Sequence, residues 1–204
     1  LTLVGVTGTN GKTTTTWLLE SIFKAAGLNT GVIGTVNIRY NGIESDNSVT
    51  TPDAIELQKI LYEMQKAKVS HVIMEVSSHG LDQNRVDFCE FDAGIFTNLT
   101  QDHLDYHKNI SEYFECKKRL FTELLGTKAK NQTSAILNID DKKGALLFSE
   151  LSAEVHPVSV STHQKADIYS KNIVDNIQGL SGEIYLNGHF FHFSSVLTGR
   201  FNLE

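Results

Sequence analysis

The sequence predicts an α/β protein in which a mostly parallel sheet carries helices on both faces, with a small antiparallel sheet near the C-terminus. First, buried-strand patterns and amphipathic helix patterns alternate along most of the chain. Second, a glycine-rich turn joins the first strand to the first helix. Third, the tail 155–193 changes pattern: its short alternating runs are separated by glycines and by the pair Asn187-Gly188.

The predicted elements follow one another in a regular order. The parallel strands are predicted at 1–6, 30–36, 69–76, 93–97 and 134–139. The helices are predicted at 12–26, after Thr51-Pro52-Asp53 with proline in the first helical position, at 109–125, and after the pair Asp140-Asp141. Between the second strand and the second helix, Asn41-Gly42 predicts a hairpin within 38–44.

The first predicted helix has one apolar side, as expected of a helix that packs on a sheet. Gly27 closes this helix, because glycine readily adopts the left-handed conformation that ends helices. The residues predicted to share the apolar side are Trp17, Leu18, Ile22 and Ala25.

The composition fits one domain, 1–204, with 155–193 as a small antiparallel subsheet. The chain has 204 residues, 40% of them hydrophobic, and a net charge of −6 at pH 7. This acidic balance argues against a nucleic-acid-binding surface, which needs a basic excess. No apolar stretch is long enough to cross a bilayer, so no membrane insertion is expected. Cys89 and Cys116 give neither a disulfide framework nor zinc-ligand spacing, which fits the cytoplasm.

Residues 6–14 read V-T-G-T-N-G-K-T-T, a variant of the phosphate-binding loop, or P-loop, whose strict form has glycine in place of Val6. Gly8 and Gly11 permit backbone angles at which successive amides converge on one anion. Lys12 can reach terminal phosphates, and the Thr13 hydroxyl can bind Mg²⁺. The alternative is an ordinary turn rich in glycine and threonine. The residues predicted to bind a nucleoside triphosphate are Gly8, Thr9, Asn10, Gly11, Lys12, Thr13 and Thr14.

Polar residues follow the strands 69–76 and 93–97, where a parallel sheet opens toward its ligand. Glu75 ends the first of these strands, and we interpret it as a holder of Mg²⁺ rather than a surface glutamate. His103 and His107 follow the second strand and are four residues apart, so they could share a helix face. The position of His103 directly after the strand end favours a functional role for this histidine. We interpret His107 as structural.

Lys117 lies in the apolar stripe of the helix 109–125. Counting in threes and fours along this helix places it among Tyr113, Leu120, Phe121 and Leu124. A lysine that points inward has to be paired, deprotonated or chemically altered, because a bare buried ammonium is unfavourable. The alternative is that its stem packs while the charge reaches water.

Seven motifs occur in order along the chain. They are T-G-T-N-G-K-T-T (7–14), T-T-P-D (50–53), E-V-S-S-H-G-L (75–81), Q-N-R-V (83–86), T-N-L-T-Q-D-H-L-D-Y-H (97–107), N-I-D-D (138–141) and T-G-R-F-N (198–202). This set resembles the Mur ligases, specifically the MurE type, UDP-N-acetylmuramoyl-L-alanyl-D-glutamate ligase. The resemblance covers that family's central ATP-binding domain. It implies that the family's N-terminal and C-terminal domains are missing from this chain.

The resemblance implies roles for single residues. The family carries a carbamylated lysine, formed with CO₂, at the position of Lys117. This modified lysine, together with Glu75 and His103, would bind a second Mg²⁺, while Thr13 would bind the first. Lys12 would be the remaining catalytic residue. Asn202 would meet the adenine of ATP, the implied cofactor. The residues implied to hold the muramoyl-peptide substrate are Thr50, Thr51, Ser77, Gln83 and Arg85.

The implied reaction is ATP-dependent amide bond formation in peptidoglycan biosynthesis. The D-glutamate carboxylate of the UDP-N-acetylmuramoyl dipeptide attacks the γ-phosphorus, and a diamino acid then displaces phosphate from the acyl phosphate. Val49 departs from the polar residue expected before the threonine pair, and the choice of diamino acid is left open. The isolated domain is expected to be inactive. Two alternatives remain: a ligase like folylpolyglutamate synthetase, and a nucleotide-binding module without ligase activity.

Overall fold

The computed structural model describes residues 1–101, 106–125 and 133–203. Within these ranges the strands are β1 (Thr2–Thr7), β2 (Thr30–Ile33), β3 (Asn37–Tyr40), β4 (Ile43–Asp46), β5 (His71–Glu75), β6 (Ala93–Phe96), β7 (Thr133–Asn138), β8 (Val155–Ser161), β9 (Ile168–Asn176), β10 (Gly179–Leu186) and β11 (His189–Ser195). The helices are α1 (Lys12–Ala25), α2 (Ala54–Lys66), α3 (Ser78–Asp82), α4 (Ile110–Arg119) and α5 (Lys142–Glu150). A π-helical turn, Leu120–Leu124, extends α4, and a short 3₁₀ turn spans Arg200–Asn202.

The described strands form one sheet in the order β11-β10-β9-β8-β7-β6-β1-β5-β2-β3-β4. The strands from β2 to β9 in this order are parallel, and antiparallel strands are added at both ends. Helix α1 packs on one face, while α2, α4 and α5 cover the other. The predicted fold class is confirmed.

The tail differs from the prediction at its first strand. Strand β8 pairs in parallel with β7 and continues the main sheet, so the antiparallel part of 155–193 begins only at β9. Alternating polar and apolar residues indicate a half-exposed strand but do not fix its direction. The pattern therefore identified the strand and could not give its orientation.

The buried side of α1 is not the predicted one. Trp17, Leu18 and Ile22 are largely exposed, whereas Thr16 and Glu20 are buried. Two polar residues can occupy the sheet-facing side because each has a hydrogen-bond partner: Thr16 bonds to the carbonyl of Thr13, and Glu20 to a distant arginine. The apolar residues that pack from this helix on the sheet are Leu19 and Phe23.

Several turns and caps agree with the local sequence signals. Asn41-Gly42 and Asn187-Gly188 both adopt positive φ and join antiparallel strands. The predicted start of α2 is shifted by two residues: Asp53, rather than the residue before Pro52, is the N-cap, and its carboxylate accepts from two amides. Asp141 caps α5 in the same way. In the part of the chain that the structure describes, no helix is long and apolar enough to cross a membrane.

A buried ion pair fixes the β3–β4 hairpin to α1. Arg39 donates to one oxygen of Glu20 through two nitrogens, at 2.8 and 2.6 Å, and Lys24 donates to the other oxygen at 2.7 Å. Burial alone would raise the pKa of Glu20, but the hydrogen bonds and charges of Arg39 and Lys24 outweigh it and lower this pKa. The guanidinium also lies over the Trp17 ring, 3.7 Å from its centre.

We predict that Arg39→Met lowers the free energy of unfolding by about 3–5 kcal/mol, because it leaves the Glu20 carboxylate buried without its main partner. The measurement is urea denaturation near pH 7. Because the folded pKa of Glu20 is lowered, the pair stabilises the fold above the unfolded pKa. This stabilisation disappears as the pH falls through the folded pKa.

The matched control is Lys24→Met, whose side chain is 62% exposed. We expect a loss below about 1 kcal/mol, as for other exposed pairs. Equal losses for the two variants would contradict a special role for the buried pair.

Candidate functional site

The glycine-rich loop 8–11 lies between β1 and α1, at the edge where the parallel strands end. Gly8 and Gly11 have φ of +145° and +85°, so both use conformations that favour glycine. A Cβ on Gly8 would lie 2.0 Å from Thr97 Oγ1, so the loop also packs closely on the end of β6. Gly11 directly precedes α1, which directs the positive end of a 14-residue helix at this place.

Two amides of the loop are already bound within the protein. Thr9 donates its amide to the Asn98 carbonyl at 2.8 Å, and Asn10 donates to the Asn98 side chain at 3.0 Å. The Thr9 side chain is buried and lies 3.3 Å from the Tyr113 hydroxyl. These contacts fix the loop against Asn98 and Tyr113, and they remove the Thr9 and Asn10 amides from the predicted anion-binding set.

Two lysines converge on one carbonyl of this loop. Lys12 Nζ donates to the carbonyls of Gly8 and Thr9, at 2.9 and 2.8 Å. Lys117 Nζ donates to the same Gly8 oxygen at 2.9 Å. Like charges held so close repel each other, and an anion that enters the loop relieves the repulsion. The two amines place positive charge at the loop, which would favour an anionic ligand there.

The inward position of Lys117, predicted from helix phase, is confirmed. Its side chain is 1% exposed and lies 4.7 Å from the centre of the Tyr113 ring. The alternative in which the charge reaches water is therefore wrong. Lys118 points to the other side and pairs with Glu115 and Glu150. The other residues of the predicted stripe, all buried, are Tyr113, Leu120, Phe121 and Leu124.

Glu75 is 1% exposed at the end of β5, so the surface alternative for this residue is also wrong. Its Oε1 accepts from Thr13 Oγ1 at 3.0 Å and from the Thr35 amide at 3.1 Å. Its Oε2 accepts from Thr35 Oγ1 at 2.8 Å. Glu75 therefore faces the start of α1, as predicted, while His103 lies outside the described residues.

Four of the five predicted substrate residues form a hydrogen-bonded group around the start of α3, while Thr50 lies against Thr35. Thr51 is completely buried, and its hydroxyl bonds to the Glu75 carbonyl and accepts from the Ser77 amide, both at 3.0 Å. The Ser77 hydroxyl caps α3. Arg85 donates to the Thr51 carbonyl at 2.7 Å and to Gln83 Oε1 through two nitrogens. In this arrangement Thr51 supports its neighbours, and the accessible groups are those of Arg85 and Gln83.

Two clefts share the loop as a common wall. The larger, about 610 Å³, is bounded by Asn138, His163, Phe201 and Asn202. The smaller, about 270 Å³, is bounded by Thr35, Thr50 and Glu75. An elongated ligand with a polar anionic end can occupy both by crossing the loop. The loop residues that line both clefts are Asn10, Gly11 and Thr14.

Sequence reasoning missed several residues of these clefts. Thr35, Asn98 and Asn138 each lie just after or at the end of a strand, as Glu75 does. Asn138 donates to the Thr97 carbonyl at 2.8 Å, which joins the ends of β6 and β7. The signal that could have identified all three is their common place at the carboxyl edge of the sheet.

Asp140 fixes the segment 161–163, which contributes His163 to the lining of the larger cleft. Its carboxylate accepts from Ser161 Oγ and from the Thr162 amide and hydroxyl. Burial alone would raise the pKa of Asp140, but these hydrogen bonds outweigh it and lower this pKa. The two aspartates therefore differ in role, since Asp141 caps α5 and Asp140 fixes a turn of the larger cleft.

A glycine-rich loop at the carboxyl edge of a parallel sheet, with a buried lysine and a buried carboxylate beside it, defines a P-loop α/β domain. The family model described as the Mur ligase middle domain matches residues 6–204, and the chain belongs to that family. One relative is a UDP-N-acetylmuramoyl-L-alanyl-D-glutamate--2,6-diaminopimelate ligase of Geobacter metallireducens. It is 43% identical over 202 residues, which are 98% of this chain and 39% of the relative.

Solved structures agree with this assignment. A structure of a ligase with the same name has a TM-score of 0.88 at 30% identity, over 99% of this chain and 40% of that one. A bifunctional folylpolyglutamate synthase/dihydrofolate synthase from Yersinia pestis has a TM-score of 0.63 at 20% identity, over 93% of this chain and 48% of that one, which shows a common fold alone. The chain spans about two-fifths of the length of the curated relatives it matches.

We predict that Gly8→Ala destabilises the protein more than Gly42→Ala. Both glycines have positive φ, but a Cβ on Gly42 meets nothing within 4 Å, whereas one on Gly8 meets Thr97 and Asn98. Backbone strain alone is expected to give about 1–2 kcal/mol at Gly42. Chemical denaturation measures both values, and equal losses would contradict close packing of the loop on β6.

Proposed function

We propose that this chain is the ATP-binding domain of a ligase that joins a diamino acid to UDP-N-acetylmuramoyl-L-alanyl-D-glutamate. The names of the relatives and the ordered motifs support the substrate class. The single observation that carries the chemistry is the buried amine of Lys117 on the Gly8 carbonyl of the P-loop. The remaining substrate-binding surface would belong to domains outside this chain, which the greater length of the relatives supports.

The residues present fit ATP with Mg²⁺. Magnesium prefers oxygen ligands, and the Thr13 hydroxyl and a Glu75 carboxylate oxygen lie 3.0 Å apart beside the smaller cleft. Bound there, the ions would neutralise charge on the phosphates. Lys12 would turn from its own loop carbonyls to the phosphates, since these carbonyls are weaker partners for an ammonium than a phosphate is. His103 would complete the metal site.

Lys117 would act as a carbamate rather than as an ammonium. The ammonium would first lose a proton, and the neutral amine would then add CO₂ and release a second proton. The product is an anion with two oxygens, which suits a place beside metal ions. The crowding of two ammonium groups on the Gly8 oxygen supports this assignment, because the modification removes one of the two like charges.

The nucleotide would lie across the loop. Its base would occupy the larger cleft, where Asn202 offers a side-chain amide that now donates to the Thr198 carbonyl at 2.7 Å. Its phosphates would follow the loop and the first turn of α1 toward the smaller cleft. The presence of a cleft on each side of the loop supports this placement of the base and the phosphates.

The substrate carboxylate would attack the γ-phosphorus from the side of the smaller cleft, which forms an acyl phosphate and releases ADP. Thr50 lines this cleft, and Ser77, Gln83 and Arg85 form the hydrogen-bonded group around its neighbour Thr51. These residues would hold the muramoyl peptide. The planar fork of Arg85 suits a carboxylate or phosphate. The carboxylate is already a nucleophile, so positioning and charge stabilisation by Lys12 and the first turn of α1 would supply most of the catalysis. The amino group of the diamino acid would then displace phosphate from the acyl phosphate.

The buried free thiols Cys89 and Cys116 fit a cytoplasmic protein. A substrate screen with UDP-muramoyl peptides and with folates, each with ATP and the full-length protein, tests the proposed substrate class. Ligation of glutamate to folates would favour the folylpolyglutamate synthetase alternative. Nucleotide binding without ligation of either substrate would favour a binding module.

We predict that Lys117→Ala in the full-length protein lowers the rate of ligation at least about 100-fold, because the carbamate would hold a metal ion that stabilises charge on the transferring phosphoryl group. Added bicarbonate is not expected to restore the activity, because the variant has no amine to modify. The control is Lys118→Ala, which removes the neighbouring lysine on the polar side of the helix. Wild-type activity in Lys117→Ala would refute the assignment.

We also predict that Lys12→Ala weakens ATP binding by about 10- to 100-fold, the loss typical of one hydrogen bond to a charged group. Isothermal titration with a non-hydrolysable ATP analogue measures this change separately from catalysis. Lys24→Ala, at the far end of the same helix, should bind the analogue as the wild type does. Unchanged affinity in Lys12→Ala would count against the P-loop interpretation.

A further inference from the structure

The Glu75 carboxylate is held by a turn that the sequence did not reveal. The turn, residues 34–36, follows β2, and Thr35 contributes two of the three hydrogen bonds that Glu75 accepts within the described residues. Its amide reaches one carboxylate oxygen and its hydroxyl the other. A carboxylate bound through both oxygens by one residue cannot rotate freely, so Thr35 sets the plane of this group.

Gly34 lets the turn approach the carboxylate. A Cβ at this position would lie 2.4 Å from Glu75 Oε1 and 3.1 Å from its Cδ, which is closer than carbon atoms pack. The φ of Gly34 lies outside the left-handed region, so space rather than backbone conformation requires glycine here. Gly34 and Thr35 together form a seat, that is, a turn that fits closely against the Glu75 side chain.

The seat is fixed by the hairpin that follows it. The Gly34 amide donates to the Asn37 carbonyl at 3.2 Å, and Asn47 donates to the Gly34 carbonyl at 2.9 Å. Asn37 is in turn bound by Arg39, the arginine of the buried pair with Glu20. The position of Thr35 is therefore tied to helix α1, which also carries Thr13.

The hydrogen bonds of Thr35 have a fixed direction. Its hydroxyl has one hydrogen, which is donated to Glu75 because a carboxylate can only accept. Thr50 Oγ1 lies 3.0 Å from Thr35 Oγ1, so Thr50 has to donate its own hydrogen to Thr35. Thr50 is left with lone pairs only, and it can accept from a ligand but not donate to it.

We propose that Thr35 is a positioning residue that orients Glu75 for a divalent cation and makes Thr50 an acceptor for an N–H or O–H group of the substrate. The inference rests on the proposed function. Within the described residues, both lone pairs of Oε1 are used and Oε2 keeps one, so Oε2 is the oxygen that Thr35 leaves for a metal ion. One side chain thereby couples the metal carboxylate to the substrate-binding threonine.

The test uses Mn²⁺ as the probe, in the full-length protein with a saturating non-hydrolysable ATP analogue. Electron paramagnetic resonance counts the bound ions and gives their affinities without turnover. We expect Thr35→Val to weaken the Mn²⁺ site of Glu75 by about 10- to 100-fold, the usual effect of removing a partner that orients a metal ligand. Thr35→Ser keeps both donors and should bind Mn²⁺ as the wild type does.

Two further variants distinguish a change in the orientation of Glu75 from a general disturbance of the turn 34–36. Val36→Ala changes an exposed neighbour in the same turn and should leave Mn²⁺ binding unchanged. Gly34→Ala keeps both donors of Thr35 but displaces Glu75 by contact, and it should weaken the same Mn²⁺ site. If Thr35→Val does not fold, Thr35→Ala, which also removes only the hydroxyl donor, replaces it in the test: a loss of this Mn²⁺ site supports the inference, and wild-type affinity overturns it.

Glu75→Gln distinguishes failure of this inference from failure of the proposed function. If Glu75→Gln loses one Mn²⁺ ion while Thr35→Val binds as the wild type does, the role of Thr35 is refuted and the metal role of Glu75 stands. If Glu75→Gln also binds Mn²⁺ as the wild type does, the metal assignment itself fails, and this inference fails with it.

Discussion

The hydrogen bond from the Lys117 amine to the Gly8 carbonyl joins the two halves of the site. It brings α4, which lies on one face of the sheet, onto the loop that precedes α1 on the other face. The Gly8 oxygen also accepts from Lys12 of α1, and the positive φ of Gly8 is a conformation that favours glycine at this place in the loop. A buried ammonium needs such a partner, so the fold of the loop and the inward lysine depend on each other.

The parallel sheet brings the other groups to the same place. Glu75, Thr35 and Asn98 belong to segments far apart in sequence, yet all follow strands that end at one edge. Side chains that end parallel strands are neighbours irrespective of the length of the intervening helices. The family assignment agrees with this geometry, because the Mur ligase middle domain model spans nearly the whole chain.

Local signals in the sequence predicted much of the fold and part of the site. Helix phase identified Lys117, and strand position identified Glu75, because each depends only on nearby residues. The buried side of α1 was predicted wrongly, since Glu20 is buried only because Arg39, from a hairpin further along the chain, reaches it. Thr35 was missed for the same reason: its role depends on a partner 40 residues away. His103 lies outside the described residues, so its role stays a prediction.

The thin wall between the two clefts has a consequence for how ligands communicate. Asn10, Gly11 and Thr14 line both compartments, so the same short segment borders each of them. In the proposed function, the distance between the nucleotide base and the reacting end would be set by the peptide geometry of this segment, which is stiffer than a flexible side chain. A small shift of the backbone produced by an occupant on one side would be transmitted directly to the occupant on the other, without any intervening hinge.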